Sequence, residues 1–309
     1  MGHDHSHGHS HGTLTATGRH RKRLVLVMII TLAVFVAEVI GGVLSGSLAL
    51  LADAGHMLTD SAGLVIALVA SVLAARPATT ARTYGLQRTE VLAALVNGVL
   101  LVAIAGWVLV EAVQRWQEPA AVSSGLMLAV AGVGIVANVV GLLVLRGGKD
   151  ESLNLRGAYL EVLGDLVGSV AVVVAALVIL TTGWVRADAL ASVLVVCLIV
   201  PRAWALIRDV VDVLLEATPR GVDLATVREH IEETPGVVEV HDLHVWTITS
   251  GLPVLSAHVV VAGDHLARGR QGEILDSLGS CLGEHFDVAH CTFQLEPEGH
   301  RAHEPAQHA

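Results

Sequence analysis

Six long apolar runs, beginning near Leu24, Leu48, Val91, Leu126, Gly157 and Ala187, occupy most of the chain. About 20 apolar residues are needed to carry a helix across the hydrocarbon of a bilayer, where every backbone polar group must be satisfied internally. The runs predict six membrane-spanning helices with both ends of the set on one side. Hydrophobic residues make up 53% of the 309 and charged residues only 16%, with a mean hydropathy of +0.65, which excludes a soluble globular class.

Sidedness follows from the basic residues, since Lys and Arg near short loops are retained in the cytoplasm. Arg19, Arg21, Lys22, Arg23, Arg76, Arg82, Arg88, Arg146, Lys149, Arg156, Arg202 and Arg208 fall on one side, against Arg115 and Arg186 on the other. Both termini are therefore expected in the cytoplasm. The first run follows a basic cluster, has no small-residue cleavage site and continues into a second span, so it reads as an anchor rather than a removed signal peptide. The Ala, Val and Gly richness and short loops suit a bacterial plasma membrane.

Two spacings carry the chemistry. His56 and Asp60 lie four residues apart in the second run, as do Glu161 and Asp165 in the fifth. Residues at i and i+4 share one helix face, so each helix aims two metal-grade ligands the same way. Facing each other, they would make a site of one imidazole and three carboxylates. Ionisable groups at membrane depth are costly and mark ion paths or proton relays. Glu38, Asp53, Glu111 and Asp188 also lie in or at the ends of spans, and no Lys or Arg is expected at comparable depth. Acids without basic partners need a cation or a proton. Asp53, one turn before His56, is read either as a relay or as a cap at the start of the span. Asn97 and Asn138 suit helix–helix hydrogen bonding, with Asn97 kept as an accessory candidate, and the many Gly and Ala residues suit close helix packing.

From about Thr218 the composition shifts to that of a small soluble domain of about 80 residues. Asp223 is a candidate N-cap for a helix to Glu233. Val237–Thr249 and Val254–Val261 alternate as strands around a Ser250-Gly251-Leu252-Pro253 turn. A helix over Gly272–His285 and a strand over Ala289–Glu296 complete an α-β-β-α-β order, suited to a ferredoxin-like α+β layer. His241 and His258 would meet across the hairpin. The expected division is a disordered His-rich head (1–22), a six-helix transmembrane domain (23–212), a cytoplasmic ferredoxin-like metal-binding domain (213–297) and a disordered tail (298–309).

In the head, His3, His5, His7, His9 and His11 alternate with Asp, Ser and Gly. A cloning tag is usually an unbroken His run, so transient metal capture is the preferred reading. Cys197 lies in the sixth span. Cys281 and Cys291, on the cytoplasmic side, suit free thiols or metal ligation over a disulfide.

Four stretches resemble the signatures of the cation diffusion facilitator family, bacterial zinc/cadmium-efflux branch. They are Leu50-Leu-Ala-Asp-Ala-Gly-His-Met-Leu-Thr-Asp60, Tyr84-Gly-Leu-Gln-Arg-Thr-Glu90, Ala158-Tyr-Leu-Glu-Val-Leu-Gly-Asp165 and His241-Asp-Leu-His-Val-Trp246. The resemblance implies a homodimeric, proton-coupled exporter of zinc and similar ions, embedded in the bilayer, with no nucleic-acid partner. It maps the transport site onto His56, Asp60, Glu161 and Asp165. It maps a regulatory metal site onto His241, His258 and Glu296, with Gln294 or His265 in support and His244, His285, His290, Cys281 and Cys291 as further candidates. The family's zinc exporters generally carry His where this chain has Glu161. A carboxylate adds negative charge and a harder ligand, which opens the site to Mn2+, Co2+ or Fe2+ beside Zn2+ and Cd2+. Zinc remains the expected cargo because it accepts carboxylate oxygens beside one His. Glu161 is also a candidate carrier of the exchanged proton. A metal-buffering or sensing membrane protein and an intramembrane metalloenzyme are the alternatives, the latter lacking an H-E-x-x-H motif.

Overall fold

The computed structural model describes residues 16–146, 153–286, 288 and 290–300. The histidines of the head, the tail from 301 onward and the side chain of His285 lie outside the described residues. Among the described residues, six helices are long and apolar enough to cross a membrane: α1 (Ala16–Ser45), α2 (Leu48–Ala74), α3 (Thr89–Gln117), α4 (Ser124–Arg146), α5 (Leu153–Thr182) and α6 (Arg186–Leu214). Much of their surface is apolar and exposed, as at Val43, Leu64, Leu68, Val136 and Leu180, a face suited to hydrocarbon rather than water. Beyond them follow α7 (Leu224–Glu232), β1 (Val237–Thr247), β2 (Pro253–Val261), the short α8 (Gly263–Ala267), α9 (Gln271–Phe286) and β3 (His290–Pro297). The α-β-β-α-β order expected from the sequence is present, with α8 as an unforeseen turn of helix after β2.

The chain divides into two compact units, Met1–Ala62 with Val99–Ala203, and Gly63–Gly98 with Trp204–Ala309. In the first, α4 packs against α1 and α5. Its buried residues are Met127, Ala131, Gly134, Asn138, Gly141 and Leu145, a spacing of alternating fours and threes that keeps one seam facing inward. Small residues on that seam let the neighbouring helices close in. A Cβ at Gly134 would lie 3.2 Å from both Glu38 Oε1 and Ser169 Oγ, and one at Gly141 would lie 3.3 Å from Val162. Asn138 meets the expectation of helix–helix hydrogen bonding by donating to Ser169 Oγ at 3.4 Å.

The N-terminus of α2 is held from outside its own sequence. Gly46 turns the chain with φ +73°, and a Cβ there would lie 3.0 Å from the Ala121 carbonyl. Ser47 then caps the helix through Leu50 N–H at 3.2 Å. Asp188, in the first turn of α6, accepts from Leu48 N–H at 2.7 Å and Ala49 N–H at 3.2 Å. These are groups that a helix leaves unsatisfied at its start.

The second unit holds the three-stranded sheet, ordered β1-β2-β3, with β1 antiparallel and β3 parallel to β2. Val227 and Ile231 of α7 and Ile274, Leu278 and Leu282 of α9 join Val240, Val245, Leu255, Ala257 and Val259 of the sheet in one core. Fully burying side chains of this size contributes roughly 1.5–3 kcal/mol each. Asp223 caps α7 as expected, accepting from Ala225 N–H at 3.1 Å. In the same unit Asn97 lies against Gly63, where a Cβ would come within 2.6 Å of its Nδ2. Its Oδ1 is buried with no hydrogen-bond partner among the described residues, so Asn97 marks a close approach of α2 and α3 rather than the hydrogen-bonded crossing expected.

Candidate metal sites

A cavity of about 700 Å3 lies among α2, α5 and α6, with Asp53, His56, Glu161, Gly164, Gly168 and Arg202 in its lining. Helical periodicity places His56 and Asp60 together, Nε2 to Oδ2 at 3.4 Å. The carboxyl groups of Asp60 and Glu161 meet within hydrogen-bonding reach across α2 and α5. Asp165, one turn beyond Glu161, is buried, and its Oδ1 has no hydrogen-bond partner among the described residues. The four residues singled out by spacing are thus brought to one region. Their donor atoms are less tightly gathered than those of the trio in the sheet described below, which among the described residues forms the group with all donors within 4.8 Å of one another.

Two expectations need correction. Acids in the spans do have basic partners: Arg115 lies 3.0 Å from Glu111 and 3.6 Å from Asp188, and Arg202 Nη1 lies 3.3 Å from His56 Nε2. Counting charges at the ends of apolar runs placed these arginines outside the helical segments, whereas α3 and α6 continue through both of them. Asp53 does not cap α2, because the helix begins five residues earlier at Leu48 and Ser47 and Asp188 perform the capping. It is buried against Gly168, where a Cβ would lie 2.7 Å from Asp53 Oδ1.

In the sheet, β1 and β2 pair in a register that sets His241 opposite His258, and their rings pack edge-on with centroids 5.1 Å apart. Parallel pairing brings β3 alongside, and Glu296 bridges the two, with Oε2 at 3.1 Å from His241 Nε2 and Oε1 at 2.8 Å from His258 Nδ1. Gln294 donates to Glu296 Oε1 at 2.8 Å, as a supporting residue would. Two imidazoles and a carboxylate are a donor set that zinc-like ions accept.

The other candidates are placed elsewhere. His265 packs on Gly236, His290 meets Tyr84 edge-on, and His244 reaches Asp242 at 3.0 Å. Burial pushes the Cys291 thiol up from its usual value, and it lies 3.6 Å from the Val288 carbonyl. Asp242 was not anticipated. It occupies the left-handed region with φ +50° at a break in the β1–β2 register, and its Oδ2 lies 3.8 Å from His258 Nε2. Asp tolerates that conformation better than most residues.

The Tyr84–Glu90 stretch is tied into the second unit by its side chains, with Gln87 Nε2 and Thr89 Oγ1 donating to the Ala74 and Ala70 carbonyls at 3.3 and 3.1 Å. Tyr84 meets His290 edge-on, Arg88 pairs with Glu216 at 3.0 Å, and Glu90 accepts from Thr249 Oγ1 at 2.9 Å.

The comparisons with known proteins agree with this architecture. The family model for the cation efflux transmembrane domain matches residues 24–215, and that for the cytoplasmic domain of cation efflux proteins matches residues 219–298. The chain belongs to the cation efflux family, whose members are transporters rather than enzymes, and it is a multi-pass membrane protein.

It is 42% identical over 273 residues to the metal cation efflux system protein CzcD of Cupriavidus metallidurans, covering 88% of this chain and 85% of that one. It is 40% identical over 267 residues to the cadmium, cobalt and zinc/H(+)-K(+) antiporter of Bacillus subtilis, covering 86% and 85%. To the zinc transporter ZitB of Escherichia coli it is 42% identical over 269 residues, covering 86% and 84%. Among solved structures, the metal-bound C-terminal domain of the CzcD transporter is 44% identical, covers 24% of this chain and 99% of that one, and has a TM-score of 0.22.

Proposed function

We propose that this protein is a proton-coupled antiporter that moves divalent metal ions, Zn2+ foremost and Cd2+, Co2+, Mn2+ or Fe2+ as further cargo, out of a bacterial cytoplasm. The reading is carried by the meeting of His56 and Asp60 with Glu161 beside a cavity that His56 and Glu161 line, with Asp165 buried beside them, in a chain of the cation efflux family. Oxygens and an imidazole that bind a divalent ion in one state accept protons in another, so one set of groups suffices for exchange. The names of the relatives, which print zinc, cadmium and cobalt, support zinc, cadmium and cobalt as cargo.

The division into transmembrane and cytoplasmic domains near residue 213, cytoplasmic termini, an inner-membrane location and a homodimer complete the proposal, with the dimer supported by the designation of the cytoplasmic family domain. His241, His258 and Glu296 would hold a resident regulatory ion, which on binding would tie three strands together. The histidines at 3, 5, 7, 9 and 11 would raise the local metal concentration without forming part of the path.

Proteoliposomes with an imposed pH gradient provide the test. The parent should move zinc against the proton gradient, while Asp60→Ala and Asp165→Ala should be inactive yet folded. Transport at the parent rate by either variant, or flux indifferent to the gradient, would refute the corresponding part.

A further inference from the structure

Arg202 reaches into the cavity from α6, directly after Pro201. Its Nη1 lies 3.3 Å from His56 Nε2, and its charge acts on His56, Asp60, Glu161 and Asp165 alike. A guanidinium carries donors only and stays protonated. Its contact with His56 therefore uses the Nε2 lone pair, which a metal ion would also need.

The charge count gives this contact a purpose. Three carboxylates around one imidazole carry a formal charge larger than a divalent ion neutralises, and one guanidinium makes up the difference. Pro201 has no N–H to return to the carbonyl of Cys197, one turn earlier, so α6 lacks a ladder hydrogen bond beside the residue that would have to move.

We propose that Arg202 is a tethered competitor for the transported ion. It occupies His56 and balances the extra carboxylate of Glu161, and it must release His56 when the metal binds. Arg202 thus sets a moderate affinity and speeds release, making it an affinity-determining residue of the transport site. This rests on the assignment of His56, Asp60, Glu161 and Asp165 as that site.

The test is equilibrium binding of radioactive zinc to the purified full-length protein in detergent, combined with zinc flux in proteoliposomes. The ion lost on Asp60→Ala identifies the membrane site. Arg202→Gln should bind that ion at least about tenfold tighter, since a unit charge a few ångströms away is removed from a partly buried site. In flux, KM and kcat should both fall, because a tighter site loads at lower zinc and releases more slowly. In a Glu161→His background the tightening should shrink, the charge needing balance being gone.

Unchanged or weaker affinity in Arg202→Gln, with Asp60→Ala still losing the ion, overturns the proposal. Should the Gln variant not fold, Arg202→Lys replaces the planar fork by a point charge and should bind tighter than the parent by a smaller factor. Equal or weaker binding by the Lys variant overturns the proposal. An Asp60→Ala protein that loses no ion overturns the transport-site assignment and this inference with it.

Discussion

Ser47 and Asp188 stand 141 positions apart and are joined by a 2.6 Å hydrogen bond. With the Leu48 and Ala49 N–H groups also directed at Asp188, the start of α2 is fixed to the start of α6, and Arg115 supplies a positive neighbour at 3.6 Å. Removing a buried acid from such a set strands two N–H groups and the Ser47 hydroxyl, while Arg115 keeps Glu111 as a partner. Asp188→Ala should cost about 2–4 kcal/mol, from roughly 1–3 kcal/mol for each buried N–H group left unsatisfied. Asp188→Asn should cost less because one carboxamide oxygen still accepts. Thermal unfolding of both variants in detergent checks the order.

In the proposed transport site Glu161 would set the ligand chemistry of the cavity. Imidazole is a softer ligand than carboxylate, so Glu161→His should raise the ratio of zinc to manganese flux several-fold. Competition between the two ions in proteoliposomes measures it, and an unchanged ratio would mean that Glu161 does not touch the ion.

The sheet trio makes a prediction about dynamics. A ligand that binds only the folded domain stabilises it by RT ln(1 + [L]/Kd), about 2.7 kcal/mol at a hundredfold excess over Kd. Zinc at that excess should slow hydrogen exchange of the best-protected amides of β1, β2 and β3 by about 100-fold. In a His241→Ala/His258→Ala protein, no slowing should occur. Equal slowing in both would remove these residues from the site.

The hydrogen bond from Thr249 to Glu90 links the start of the β1–β2 turn to the first turn of α3. If zinc in the sheet acts on transport, this is one route by which it can do so. Thr249→Val should leave zinc binding to the trio intact while weakening the stimulation of flux by low zinc. Parallel binding and flux titrations would show the separation, and an unaltered stimulation would exclude this contact.

Patterns with a period were legible in the sequence, and contacts between distant elements were not. The spans, α7 with its Asp223 cap, the three strands and the pairing of His241 with His258 all follow from spacing that a helix or strand turns into a common face. Hydropathy assigns an arginine near the end of a run to the water side, whereas α6 carries Arg202 beside His56. Asp188 was listless as a signal for a different reason. Its partners are backbone N–H groups of another helix, and backbone groups have no letter in the sequence. Asp242 depends on a break in strand register that local alternation does not encode.

The placement of His241, His258 and Glu296 on three different strands has a consequence for quality control. Side chains alternate faces along a strand, so a slip of one residue in either pairing would turn one of the three ligands away from the other two. An ion held by all three therefore certifies the alignment of the whole sheet. Zinc bound there would proofread assembly, favouring chains in which the hairpin and the parallel third strand have each found their partner in step.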